Sequence, residues 1–308
     1  MDVKPTAGVP KTPEERLEEL ETLAETISEN VQQSKSHEGE EIAIFLGPTG
    51  SGKSLTIAFL CGGIVKEQET KLDNDIPIYQ MSHTLGDKFK VGHSQNSETR
   101  ILEFQQFPKE ANLGSLWACD PPGFGDTKGV FVDVANFVSI KTCVSKAKSV
   151  VPIVIWEATC LGARGERVKL LIQLVAELLP LSNEQLKKSV LVWINKVDKD
   201  NTPRKLEKNY SKLVQDLGYL EQFFEERVKE EKSPHWERCL EFSEFLLKEF
   251  TDRYCIEKVK EPKLRALKES ESENNARFVY PLTTEEGETI DDVEEYWRQI
   301  NRMQPEKK

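Results

Sequence analysis

The sequence lacks any long hydrophobic run: nowhere in its 308 residues are there the roughly 18 consecutive apolar residues that a membrane-spanning helix needs. It has no apolar signal-peptide core after Met1, and Asp2 stands where myristoylation requires glycine. The final residues contain no prenylation motif. From these absences we expect a cytoplasmic protein without a transmembrane segment.

Cysteine pairs and an excess of positive charge are lacking as well. The six cysteines show no CxxC spacing, so neither a zinc site nor a disulfide framework is indicated. Cys119 follows an apolar run and is expected to be a buried thiol in a reducing compartment. With 53 acidic and 42 basic side chains the formal net charge is −11, which disfavours general attraction to nucleic acid or to anionic membranes.

What the chain does contain is a complete phosphate-binding loop of the form GxxxxGK[ST]. It lies between a strand-like apolar run and a helix-like run, the context that distinguishes a true loop from a chance match. Its glycines let backbone N–H groups turn towards phosphate oxygens, its lysine reaches the β- and γ-phosphates, and its serine offers a hydroxyl to Mg²⁺. We therefore predict binding of a nucleoside triphosphate. The residues expected to contact it are Gly47, Pro48, Thr49, Gly50, Ser51, Gly52, Lys53 and Ser54.

A DxxG sequence from Asp120 to Gly123 follows the apolar run 116–119. The Asp120 carboxylate can hold Mg²⁺, commonly through water, and the Gly123 N–H can meet a γ-phosphate oxygen. Alone, this short sequence is also compatible with a simple Pro-Gly turn. Its position after a strand-like run favours the phosphate site.

Further along, an NKxD sequence from Asn195 to Asp198 closes the apolar run 190–194. The Asp198 carboxylate can accept two hydrogen bonds from the ring N–H and the amino group of guanine, a pair that adenine does not present. A site built on such a pair discriminates strongly, because the wrong base leaves it unsatisfied. The Lys196 side chain can cover the base, and Asn195 can brace the phosphate-binding loop. The predicted ligand is therefore GTP or GDP.

Taken in this order, the three motifs resemble those of translation-factor-class GTPases. Details resemble the septin-like branch, which includes the septins and the GTPases of immunity-associated proteins. The segment Asp120–Thr127 is similar to the DTPGxxDT segment of that branch, with Pro121 in place of the usual threonine. The segment Ser97–Arg100 resembles the switch segment that supplies a magnesium-binding threonine, whereas residues 282–284 match the last guanine-contacting loop poorly.

The resemblance also implies roles for individual residues. The implied Mg²⁺ ligands are Ser54, Thr99 and Asp120. The residues implied in catalysis are Lys53, Thr99 and Gly123. Judged from the residues alone, other hydroxyls in the same polar connection remain open as alternatives to Thr99, namely Thr84, Ser94 and Ser97.

The residue after Gly123 is Phe124, where Ras-type enzymes carry the glutamine that orients the attacking water. An apolar side chain cannot do this, so we expect slow intrinsic hydrolysis that is accelerated by a second copy or an activator. Arg164 and Arg167 are either donors of positive charge in such a complex or solvated charges at the start of a helix.

From residue 40 onwards, strand-like and helix-like segments alternate, which predicts a mainly parallel sheet with helices on both faces. The resemblance implies a three-layer P-loop G domain over residues 39–304. The runs 101–104 and 116–119 are expected to be neighbouring strands, and Pro152 is expected to mark a bulge or the start of a strand. Residues 203–274 are predicted to be a helical insertion before the last strand, with aromatic residues that could form a satellite core.

Residues 1–38 are expected to be a disordered start followed by an amphipathic helix. Thr12 and Glu15 have the spacing of a capping box, with proline at the first helical position. This helix either packs on the chain's own domain or binds a partner protein or a second copy. Its apolar seam comprises Leu17, Leu20, Ala24, Ile27 and Val31.

Three functions are compatible with these motifs. The first is a switch that hydrolyses GTP to GDP and phosphate with Mg²⁺, activated by self-association or by a partner through the helical additions. The second is a septin-like structural protein in which GTP orders an assembly interface with little turnover. The third is an ATP-dependent kinase or ATPase, which the NKxD sequence opposes.

Overall fold

The computed structural model describes residues 12–63, 65–68, 78–81, 101–124, 130–157, 166–179, 181–195, 203–259, 276–278 and 293–303. The helices in these ranges are α1 (Pro13–Ser36), α2 (Lys53–Leu60), α3 (Val130–Lys146), α4 (Glu166–Leu178), α5 (Asn183–Ser189), α6 (Pro203–Glu230), α7 (Pro234–Val259) and α8 (Val293–Arg302). The strands are β1 (Glu41–Leu46), β2 (Val65–Gln68), β3 (Ile78–Met81), β4 (Glu103–Gln106), β5 (Trp117–Asp120), β6 (Ser149–Glu157), β7 (Leu191–Asn195) and β8 (Ala276–Phe278).

The strands of the main sheet follow the order β4-β5-β1-β6-β7-β8. Neighbouring strands from β5 to β8 are parallel, whereas β4 runs antiparallel to β5. Phe104 lies opposite Cys119, so the two predicted neighbouring strands do pair. β2 and β3 form a separate antiparallel pair. The prediction of an α/β fold with a mainly parallel sheet is confirmed.

Helices cover both faces of the sheet, because its central strands are apolar at nearly every position. Ile42 and Ile44 of β1 belong to a core that also contains side chains of α3, α4, α6 and α7. Ala43 and Phe45, the alternate residues, belong to the opposite core with side chains of α2 and α8. The sheet is therefore the middle layer of three, and its strand ends are held in fixed positions.

The aromatic residues of α6 and α7 lie in the main core, and the expected satellite core is wrong. Phe224, Phe242 and Phe245 are almost fully buried in the same cluster as the apolar residues of β1 and β6. The ring of Phe250 lies 5.9 Å from that of Trp156 in β6, measured between centroids. Sequence distance suggested a separate cluster, but α7 packs directly against α4 and α5, and α6 packs along α7. Together the two helices cover this face of the sheet.

Pro152 lies inside β6, so the expected bulge or strand start is wrong. The strand begins at Ser149, and Pro152 pairs with Ile44 of β1 in an unbroken register. Pairing of β6 with β7 begins only one residue later, at Ile153. A proline costs the sheet a hydrogen bond only where a carbonyl of a neighbouring strand would face its missing N–H. Pro152 lies before the part of β6 that has a neighbouring strand on both sides, so it is tolerated there.

Helix α1 begins as predicted, but only part of its predicted apolar seam is buried. The capping box is present, since the Glu15 N–H donates to Thr12 Oγ1 at 3.2 Å and the Thr12 N–H donates to Glu15 Oε2 at 2.7 Å. The helix packs along α3, yet Leu17 and Leu20 of the predicted seam are 58% and 47% exposed. Ile27 and Val31, later in the same seam, are half-buried. The described side chains of α1 that are fully buried are polar, namely Asn30 and Ser34.

The cysteines whose side chains the structure describes form no disulfide with one another; they are Cys61, Cys119, Cys143 and Cys239. Cys119 is fully buried, in agreement with the sequence-based expectation. Among the described residues, no helix combines the length and the apolar character needed to cross a bilayer.

Candidate functional site

The candidate site is built around the loop that joins β1 to α2, residues 47–52, which we call the glycine loop. A side chain at Gly47 would place its Cβ only 2.0 Å from the carbonyl oxygen of Ile155 in β6, so only glycine fits there. Gly52 has φ 87° and forms the N-cap of α2. This left-handed conformation lets the chain turn from the end of β1 into the helix. The backbone N–H groups of the first turn of α2 consequently lie beside the loop.

Lys53 is the first residue of α2 and is almost fully buried. Its ammonium group donates hydrogen bonds to the carbonyl oxygens of Gly47, at 3.1 Å, and of Pro48, at 3.0 Å. Burial lowers the pKa of Lys53 to about 8, and the negative charge of Asp120 partly opposes this shift. A positive charge is thus held beneath the glycine loop with little water around it.

Asp120 ends β5, the neighbour of β1, and is fully buried. Burial raises the pKa of its carboxyl group to about 6, although the charge of Lys53 and the hydroxyl of Ser54 lower it in part. Neither carboxylate oxygen makes a hydrogen bond of good geometry to a described residue. A buried carboxylate without such bonds costs free energy, so a cation beside it would be strongly stabilising.

The residues after Asp120 dock on the glycine loop through the backbone. The Thr49 N–H donates to the Phe124 carbonyl at 3.0 Å, and the Phe124 N–H donates to the Gly47 carbonyl at 3.3 Å. A Cβ at Gly123 would lie 2.5 Å from the Cα of Thr49, so this close approach also requires glycine. The side chain of Phe124 is buried.

Asn195 connects the end of β7 to the same loop. Its side-chain amide donates to the carbonyl oxygen of Ser51 at 3.1 Å and to the hydroxyl of Thr56 at 3.4 Å. The structure therefore contains the contact by which the NKxD asparagine was expected to brace the loop. The chain leaves β7 at the sheet edge where β1, β5 and β6 also end.

Asn136 of α3 is a site residue that sequence reasoning missed. It is buried, and its side-chain amide donates to the carbonyl oxygen of Gly123 at 3.3 Å. An asparagine among the apolar residues of a helix is a weak signal of such a role. Nothing in the sequence indicates which group it would contact.

Several predicted site residues lie outside the described residues. They are Thr99, its alternatives Thr84, Ser94 and Ser97, the base-contacting pair Lys196 and Asp198, and Arg164. Arg167 is described: it lies in α4 with an exposed side chain, 3.7 Å from the carboxylate of Glu157. This places it among the solvated charges at the start of a helix in this single chain.

The donor set fits a magnesium ion better than a zinc ion. The described residues contain no group of three or more His, Cys, Asp or Glu side chains placed to hold a metal. Mg²⁺ is usually held by one or two protein oxygens together with waters and the phosphates of a ligand. The carboxylate of Asp120 and the nearby hydroxyl of Ser54 match this pattern, and both belong to the candidate site.

The chain matches no protein-family model, and no curated protein matches it either. The class that fold and site define is an α/β protein with a mainly parallel sheet. Its candidate site lies at the carboxyl ends of the strands, where ligands of such sheets commonly bind.

Proposed function

We propose that the protein binds guanine nucleotides with Mg²⁺ and hydrolyses GTP to GDP and phosphate, acting as a nucleotide-dependent switch. The observation that carries this proposal is the convergence of three separate motifs on one loop. Lys53 lies beneath the glycine loop, Gly123 packs on its backbone, and Asn195 holds it from the other side. Chance matches of three short motifs have no reason to meet in the fold.

The proposed phosphate site uses the backbone of the glycine loop and the charge of Lys53. A phosphate group placed there would keep Lys53 protonated, in the position where burial now lowers its pKa. Ser54 and Asp120 would hold Mg²⁺, which neutralises the charge of the β- and γ-phosphates when bound. The carboxylate of Asp120, which accepts no hydrogen bond of good geometry from a described residue, would then gain a direct or water-mediated cation contact. By resemblance, Thr99 supplies the third protein oxygen.

The proposed base site is formed by the residues that follow Asn195. Because Asn195 is fixed beside the glycine loop, the NKxD sequence leaves the sheet at that loop. Asp198 would accept the two hydrogen bonds of the guanine edge and Lys196 would cover the ring. This arrangement supports GTP over ATP as the ligand.

Intrinsic hydrolysis should be slow. Phe124 is buried and its backbone is held by the glycine loop, so its side chain offers no group to orient a water molecule. A partner protein or a second copy would therefore have to supply such a group. A steady-state turnover assay over a range of protein concentrations distinguishes this switch from a septin-like structural protein with little turnover.

The decisive experiment replaces Asp198, the carboxylate proposed to recognise the guanine base. We expect Asp198→Asn to weaken GTP binding by about 10²- to 10⁴-fold, because two charge-assisted hydrogen bonds are lost. The same variant should bind xanthosine triphosphate, whose ring presents the complementary groups. Titration of GTP, ATP and xanthosine triphosphate against the wild type, Asp198→Asn and Lys53→Ala measures this.

Asp200→Asn is the matched control, since it removes a nearby charge outside the NKxD motif. It should keep the preference for GTP, and Lys53→Ala should lose triphosphate binding altogether. Unchanged preference for GTP over ATP in Asp198→Asn would show that the base site is assigned wrongly.

A further inference from the structure

The presence of an asparagine at position 136 is not explained by the stability of helix α3. It lies within α3, is 1% exposed, and its amide donates to the Gly123 carbonyl at 3.3 Å. Asparagine is a poor residue for a helix interior, and burying its amide is unfavourable without a hydrogen-bond partner. The cost of burying the Asn136 amide is thus offset by a hydrogen bond to a residue outside α3.

The peptide group that Asn136 contacts is held at both of its polar ends. The Gly123 carbonyl and the Phe124 N–H belong to one peptide unit. The carbonyl accepts from Asn136, and the N–H donates to the Gly47 carbonyl at 3.3 Å. This peptide cannot rotate without breaking a hydrogen bond to α3, a hydrogen bond to the glycine loop, or both.

We propose that Asn136 is a positioning residue for the nucleotide site, which fixes the orientation of the Gly123 backbone beside the glycine loop. This inference rests on the proposed function, because it takes the Gly123 N–H as the contact to the terminal phosphate of GTP. Glycine has no side chain to restrict its backbone, so fixing the peptide unit that follows Gly123 limits the directions in which the Gly123 N–H can point. Asn136 supplies one of the hydrogen bonds that fix this unit before the ligand arrives and so reduces the ordering that binding requires.

The proposal predicts a difference between two nucleotides. GTP uses the Gly123 N–H and GDP does not, so Asn136 should matter for GTP alone. A purely structural role in α3 would affect both nucleotides to the same extent, because both would bind to the same weakened domain. The ratio of the affinities for GTP and GDP therefore measures the positioning role, because a general loss of stability would change both affinities equally.

Ser139 offers a matched control on the same helix. It is also buried and polar, but its hydroxyl donates to the Ala135 carbonyl, within α3, at 2.6 Å. It is therefore comparable in burial and type while its partner lies within its own helix. Ser139→Ala should leave the affinity ratio unchanged.

The experiment titrates GDP and a non-hydrolysable GTP analogue, with Mg²⁺, into the wild type, Asn136→Ala and Ser139→Ala. We expect Asn136→Ala to weaken binding of the GTP analogue by about threefold to tenfold, which is the effect of one neutral hydrogen bond. Binding of GDP should weaken by less than about twofold. Equal weakening of both nucleotides, or the same change in Ser139→Ala, would overturn the proposal.

Two further measurements keep the result decisive. If Asn136→Ala does not fold, Asn136→Leu keeps the branched shape of the side chain, at a larger volume and without the donor, and is expected to give the same shift in the ratio. If the wild type binds neither nucleotide, the proposed function itself is wrong. If the wild type binds both and the ratio stays unchanged in both Asn136 variants, only the role of Asn136 is refuted.

Discussion

Lys53 and Asp120 place two buried groups of opposite charge beneath the same loop. Each shift in pKa is dominated by burial, and the attraction between the two groups offsets it only in part. Such an arrangement is unfavourable in the free protein and becomes favourable once an anion and a cation bind. The free protein is therefore expected to lose stability at the pH at which both groups are charged.

The sign of this effect follows for each group. The Asp120 pKa is raised from 3.8 to about 6, so between these values the folded chain holds more protons than the unfolded one. Stability therefore falls as pH rises through this window, and the cost is fully present above it. The Lys53 pKa is lowered from 10.5 to about 8, so its cost is fully present below about pH 8 and is relieved as pH rises towards 10.5.

Asp120→Asn should stabilise the nucleotide-free protein near neutral pH, by at most about 3 kcal/mol, since one pKa unit corresponds to about 1.4 kcal/mol. The gain in stability that the wild type shows between about pH 7 and about pH 5 should largely disappear in the variant. Urea denaturation at both pH values measures this. Glu110→Gln, at an exposed carboxylate, is the control. A wild-type pH slope in Asp120→Asn would contradict the burial of this charge.

The sequence predicted those parts of the site in which the residues proposed to bind the ligand also form the local turn. The glycine loop, Asp120 and Asn195 belong to motifs whose spacing encodes a strand end followed by a turn. Asn136 could not be predicted, because its partner is the backbone carbonyl of Gly123, which the fold brings beside α3. A side-chain contact to a distant backbone group leaves no pattern in a single sequence unless the residue belongs to a recognised motif, as Asn195 does.

At the scale of elements, α1 shows how periodicity can indicate an amphipathic helix without showing how much of its apolar face is buried. Of its predicted seam only Ile27 and Val31 are half-buried, and a polar side chain between them makes a buried contact with the domain. Asn30 Oδ1 accepts from the Leu102 N–H at 2.6 Å, and its amide donates to the Thr26 carbonyl at 2.9 Å. Apolar spacing predicts that a helix has two different faces, but the neighbouring elements decide how much of the apolar face is buried.

Asn30→Ala should destabilise the protein by about 1–3 kcal/mol, because the buried N–H of Leu102 would lose its acceptor. Leu20→Ser, on the exposed part of the same helix, should change stability by less than about 0.5 kcal/mol. Urea denaturation of both variants at one protein concentration measures the difference. A larger effect in Leu20→Ser would mean that the apolar seam of α1 is covered in the protein in solution.

At the scale of the whole molecule, α6 and α7 share one core with the sheet. Phe242→Ala should therefore destabilise the entire described fold, by about 3–5 kcal/mol, because it leaves a cavity in a packed aromatic cluster. Tryptophan fluorescence and far-UV circular dichroism should report the same single transition.

Tyr219→Ala is the control for this prediction. Tyr219 lies on α6 but is 59% exposed, so its loss should change stability by less than about 0.5 kcal/mol. If the helical signal of Phe242→Ala were lost at a lower urea concentration than the fluorescence signal, α6 and α7 would form an independent unit.

Because α6 and α7 lie between β7 and β8 in the sequence, the two strands are synthesised at different times. While the chain emerges from the ribosome, β7 can pair with β6 at once, but β8 follows only after two long helices have been made. Until then one edge of a buried parallel sheet has unsatisfied backbone groups. Such an edge invites aberrant pairing, so we expect the nascent protein to need chaperones most in the interval between the synthesis of β7 and that of β8.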